Sequence, residues 1–142
     1  MSTQAIDALH YVHTATNDLL KGYREMSARA EPDIQTVIRR LTALHEHHAA
    51  EQVAELARLH DAGTDDSSVQ GSVNKVVVIV RDWLTHLDKS VLPAVRQGEE
   101  AVRDEYDKAL HDSVASGNAS VTELLTTQRD SINSEIARLP QH

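Results

Sequence analysis

IQTVIRRLTALHEHHAAEQVAELARL, residues 34–59, carries a helical apolar stripe of Ile34, Val37, Ile38, Leu41, Leu44, Leu56 and Leu59, and His45, His48 and Glu51 interrupt the stripe at its centre. Residues three and four apart share one face of an α-helix. One helix of a bundle therefore presents imidazoles and a carboxylate where leucine belongs. Either a hydrogen-bonded polar layer or a bound cation must offset the desolvation of such groups.

The flanking sequence continues the helical pattern. Upstream, Ile6, Leu9, Val12, Leu19, Leu20, Tyr23 and Met26 predict a helix over 3–30, capped by Ser2 or Thr3. Glu31-Pro32-Asp33 breaks the chain, because proline disfavours helix in the residue before it and opens the next helix well. The second helix is predicted over 33–60, ending at Asp61-Ala62-Gly63 and the polar loop Thr64-Asp65-Asp66-Ser67-Ser68. The β-branched run Val76-Val77-Val78-Ile79-Val80 invites a strand. Val73, Val76, Val77, Val80, Trp83, Leu84 and Leu87 fit helical spacing better, and no second strand exists to pair with it, so 69–87 is predicted as a helix. Asp88 or Ser90 caps a further helix over 90–114 with Pro93 tolerated in its first turn, and Ser116-Gly117-Asn118 turns the chain into a last helix over 120–139. Two helical hairpins joined by a connection of roughly thirty residues, itself partly helical, predict a single all-α domain. Its architecture is a ferritin-like four-helix bundle with one long crossover.

Composition narrows the classes of function. The chain of 142 residues has no Phe and no Cys, so Leu, Val, Ile and Ala must fill the core and no thiolate chemistry is available. Tyr11, Tyr23, Trp83 and Tyr106 are its aromatics. A net charge of −8 without a basic patch repels phosphate backbones, which excludes nucleic acid as an expected partner. The longest apolar run is far too short to span a bilayer, and the first residues lack the basic and apolar regions of a secretory signal. A cytoplasmic protein without a membrane partner is the expectation. The apolar crossover helix packs Trp83 and Leu87 onto the bundle and leaves a face that could serve a homodimer.

Antiparallel pairing about the Glu31-Pro32 turn sets His13 at the level of His48, and His10 at that of Glu51 and Gln52. On the second helix His45, His48 and Glu51 repeat at three-residue steps, whereas Glu46 and His47 face outward. Imidazole with carboxylate suits iron, manganese or zinc. The expected metal ligands are His13, His48 and Glu51, with His10, His45, Glu99 and Glu135 as lesser candidates; the alternative is a solvated or hydrogen-bonded polar layer. In the second hairpin Tyr106 pairs with Gln128 and Glu99 with Glu135, and these two carboxylates, near the bundle end, have room to splay into water. No Glu is followed three residues later by His, so the usual di-metal carboxylate signature is missing. No phosphate loop or nucleophile elbow is present either, and no catalytic residue is assigned.

Several short motifs carry a resemblance. Asn17-Asp18-Leu19-Leu20-Lys21-Gly22-Tyr23-Arg24-Glu25, the Glu31-Pro32-Asp33 break, the helix around Trp83, Arg96-Gln97-Gly98-Glu99-Glu100 leading to Tyr106 and Ala109-Leu110, and Gln128 follow one another in an order that resembles the bacterial ferritin-like four-helix-bundle proteins of domain of unknown function 2383. The resemblance implies the ferritin-like bundle and no established activity. It leaves three readings: an uncharacterised bundle protein, stress-related or metal-binding; a metal-dependent oxidoreductase or metal store; and a helical self-association module. The family pattern carries a His-Asp pair six residues after the glutamine; here Ser134 and Glu135 stand there.

Overall fold

The computed structural model describes residues 4–61, 74–85 and 87–140. They form five helices, α1 (Gln4–Ser27), α2 (Pro32–Asp61), α3 (Asn74–Trp83), α4 (Leu92–Ala115) and α5 (Ala119–Arg138), with a 3-10 turn at Lys89–Val91 that runs into α4. No strand occurs among the described residues, so the β-branched run 76–80 is helical. The β-branched side chains are accommodated because α3 lies against α1 and α4, which bury Val76 and half-bury Val77, Ile79 and Val80.

The four long helices form a square in which each neighbour runs antiparallel. Tyr23 of α1 meets Glu99 near the start of α4. At the other end Gln4 meets Asp112. Arg40 and Arg58 of α2 reach Glu135 and Ser120 of α5, which fixes the opposite sense for that pair. Helices α2 and α4 are therefore parallel and diagonal. The chain must return along the whole bundle between them, which is the reason for a crossover carrying its own helix.

Helix ends follow from local chemistry. Asp88 Oδ1 accepts from Ser90 N at 2.9 Å and starts the 3-10 turn. Gly117 takes the left-handed conformation (φ 75°) between α4 and α5, and the Asn118 side chain then caps α5 by accepting from Val121 N. Arg96 donates to the carbonyls of Ile136 and Leu139, satisfying the orphan end of α5. Helix α3 stops at Trp83, short of the expected residue 87, because both the backbone N–H and the hydroxyl of Thr85 turn back to the Asp82 carbonyl. The expected start of that helix, 69–73, lies outside the described residues. The α1–α2 register is displaced by about one turn: His13 meets Gln52 rather than His48. Arg29 and Ala30 N–H both return to the Met26 carbonyl, winding on past α1 before the chain reverses.

Trp83 sets the spacing of the bundle. Its indole is fully buried, stacks on Tyr23 with centroids 4.8 Å apart, and donates from Nε1 to the Ala94 carbonyl at 3.0 Å. Gly22 of α1 and Gly98 of α4 form the notch that receives it. A Cβ on Gly98 would lie 2.5 Å from Trp83 Cζ2, and one on Gly22 would lie 2.9 Å from Cζ3 and collide with Val80. Each glycine sacrifices about 1 kcal/mol of helix propensity relative to alanine. The indole occupies the room that this frees. Gly98→Ala is therefore expected to lower stability by about 1–3 kcal/mol through overpacking, despite alanine's better propensity. Thermal unfolding followed by circular dichroism checks it, and Trp83→Leu in the same background should recover part of the loss.

Candidate functional site

The centre of the bundle holds a carboxylate with no exposure to solvent. Glu99 accepts a short hydrogen bond from the Tyr23 hydroxyl on Oε2, and His45 Nε2 lies 2.9 Å from both carboxylate oxygens. Three helices contribute these groups: Tyr23 from α1, His45 from α2 and Glu99 from α4. Burial first, and then the adjacent Glu99 charge and hydrogen bond, raise the Tyr23 phenol well above its ordinary range, so it remains a donor. The carboxylate oxygens can only accept, so His45 donates from Nε2; in a neutral ring Nδ1 is then the lone-pair atom.

That Nδ1 is buried and has no hydrogen-bond partner, and the same holds for Nδ1 of His48. The two rings are edge-on with centroids 5.8 Å apart. His48 is 3% exposed, and burial, followed by the neighbouring His45 and His47, lowers its pKa from 6.5 to about 3. It is a neutral imidazole at ordinary pH. Two neighbouring buried imidazoles thus each present an unsatisfied ring nitrogen.

A second polar layer lies beside the first. Gln52 Nε2 donates to Tyr106 Oη at 2.9 Å and to Gln128 Oε1 at 3.0 Å, while the Tyr106 hydroxyl donates to Gln128 Oε1 at 2.7 Å. Gln128 Nε2 in turn reaches the His48 carbonyl and Glu51 Oε1. His13 Nδ1 donates to Gln52 Oε1 at 2.8 Å, and its Nε2 accepts from Asn17. Both nitrogens of His13 are therefore engaged. Burial raises the Tyr106 phenol above its usual range even though bonds to Thr16 and Gln52 act the other way.

The expected ligands are redistributed by this arrangement. Glu51 is exposed and held by Gln128, His13 is held by Gln52 and Asn17, and of the leading trio only His48 points an unpartnered nitrogen inward. Two lesser candidates, His45 and Glu99, meet directly. Glu99 does not splay into water, because Tyr23 and His45 reach it across the core. Glu135 instead pairs with Arg40 at 3.0 Å and Arg138 at 3.8 Å, and His10 is half-buried on α1. Glu46 and His47 face solvent, as expected, and Tyr106 bonds to Gln128. Among the described residues, no three His, Asp or Glu side chains come together as they would around a bound ion. Spacing does not mark Tyr23 and Gln52 as site residues, because each sits at an apolar-stripe position where a hydroxyl or amide is the sole sign of an inward polar contact. The crossover helix spends Val76 and Trp83 on the bundle and leaves Val78 64% exposed.

In metal-free protein the His48 proton couples to folding with a defined sign. The unfolded imidazole takes a proton below about pH 6.5 and the folded one only near pH 3, so stability is complete above that window and falls as pH drops through it. This single proton contributes a slope of at most about 1.4 kcal/mol per pH unit. Denaturant midpoints measured across the window should fall less steeply for His48→Leu than for the parent. At the alkaline end, Tyr23 and Tyr106 of the three tyrosines should ionise only as the fold opens, read by ultraviolet difference absorbance.

None of the helices among the described residues is long and apolar enough to cross a membrane. No curated protein and no solved structure matches the chain. One family model does match, over residues 4–112: the one described as Domain of unknown function (DUF2383). That span takes in Tyr23, His45, His48, Gln52, Glu99 and Tyr106, most of both polar layers, and the chain belongs to this family of unknown function.

Proposed function

We propose that this protein is a ferritin-like bundle that binds a single late transition-metal cation, zinc(II) or copper(I), at His45 and His48. The parallel α2 and α4 joined by a crossover carrying α3 support the ferritin-like architecture. The observation that carries the metal reading is the pair of buried Nδ1 atoms without partners. A neutral imidazole lone pair is a metal donor, and imidazole favours zinc and copper over manganese. Metal-binding histidines commonly donate their other ring N–H to a carboxylate, which fixes the tautomer and orientation. Glu99 stands in that position behind His45, and Tyr23 holds Glu99.

In this reading Glu99 is a positioning residue rather than a ligand. The metal, when bound, would supply charge that the buried carboxylate complements. The chain's own groups keep His48 neutral and therefore free to bind, and keep the His45 lone pair on Nδ1. His13 and Glu51 lie outside the centre. The role is metal binding without an assigned reaction.

Untagged protein titrated with zinc chloride and with manganese chloride by calorimetry tests the proposal. The expected result is one zinc site, no comparable manganese site, and loss of the zinc site in His45→Ala and His48→Ala. Glu99→Gln should weaken zinc by about 10–100-fold, as expected when a carboxylate behind a ligand is lost. His13→Ala should leave affinity unchanged. Parent protein that takes up no zinc, or a zinc site indifferent to His48→Ala, would overturn the reading.

A further inference from the structure

Helix α2 carries a graded series of imidazoles from solvent to core. The His47 side chain is 72% exposed, with Nε2 3.7 Å from Oε1 of the half-exposed Glu51. The His47 ring centroid is 6.4 Å from that of His48, and His48 is 5.8 Å from His45. Exposure falls from His47 to 3% at His48 and 0% at His45. Glu51 is not a freely moving surface carboxylate: Gln128 Nε2 holds its Oε1 at 3.0 Å, so the second polar layer fixes it beside the series.

From this geometry we infer that His47 and Glu51 form a surface capture station that passes a late transition-metal cation inward to His48 and His45. The inference rests on the metal reading above and adds its uptake route. A hydrated cation approaching this acidic protein meets a carboxylate and an exposed imidazole on the same face of one helical turn, and a fixed negative charge raises the local cation concentration. The next imidazole along the helix is buried, neutral and without a partner at Nδ1. Each transfer exchanges one imidazole for another, so the ion need not be released fully desolvated into an apolar core. Arg24 binds the neighbouring Glu46 at 3.2 Å and so occupies that carboxylate, leaving Glu51 as the acidic group of the station.

A capture station changes rates and not the final equilibrium. Zinc uptake can be followed by stopped flow through the fluorescence of Trp83, the only tryptophan, which stacks on the Tyr23 that holds Glu99. With buffered free zinc as the probe, His47→Ala and Glu51→Gln should each slow association by about tenfold, the lower end of electrostatic and local-concentration effects. Dissociation should slow by the same factor, leaving the equilibrium constant within about twofold. Equal association rates in parent and variants would overturn the route while leaving the site intact. A variant that loses affinity in step with faster dissociation would overturn it too, by making His47 or Glu51 a ligand of the final site. Failure of the parent to bind zinc at equilibrium is a separate result and sinks the site itself.

Discussion

A carboxylate in the middle of a helical bundle must be compensated on every side. Removing an isolated carboxylate from water costs several kcal/mol even after relaxation. Glu99 survives there because Tyr23 and His45 donate to it from two other helices. That requirement propagates outward. Tyr23 must lie opposite the start of α4, which fixes α1 against α4; His45 must reach diagonally across the core, which fixes the height of α2. A one-residue slip of any of these helices would rotate its donor away by about 100° and strand the charge. The pair acts as a register pin as well as a candidate site.

The Trp83 notch serves the same end. Glycine at residues 22 and 98 lets the indole enter between α1 and α4, and the indole then backs the ring of Tyr23. The crossover helix is consequently a structural wedge whose position helps to hold the phenol on the carboxylate. This explains why a short helix of β-branched residues, poor in intrinsic helix propensity, is helical at all: tertiary contact with α1 and α4 outweighs the local preference.

The two polar layers differ in kind. The Gln52–Tyr106–Gln128 layer is closed, with each amide and hydroxyl matched and extended through His13 and Asn17 towards the surface. A network whose amides and hydroxyls are all matched specifies one packing and asks for nothing further. The layer around Glu99 is open, because two imidazole nitrogens remain unmatched. Unsatisfied polar atoms in a core are uncommon and call for a physical reason. The proposed metal would supply one, and the inferred station at His47 and Glu51 would give it a way in.

Residue order alone determined the helices and their pairing. Periodic apolar positions, the proline break after Glu31, Asp88 as a cap and Ser116-Gly117-Asn118 in the turn are local signals, and they act through local backbone chemistry. The length of the connection after α2 was enough to allow a crossover, because a chain of that length can return along the whole bundle. Tyr106 opposite Gln128 was legible for the same reason, since a tight turn leaves little freedom in register. The α1–α2 register was not, because the winding of Arg29 and Ala30 back onto Met26 is a three-dimensional detail that shifts the opposing residue from His48 to Gln52. Which histidine meets which carboxylate was likewise beyond residue spacing. His45 and Glu99 are joined across the diagonal of the bundle, and only the packing of four helices around Trp83 brings them together. Sequence can state that a polar group lies on an apolar face; its partner is decided by the helices that close over it.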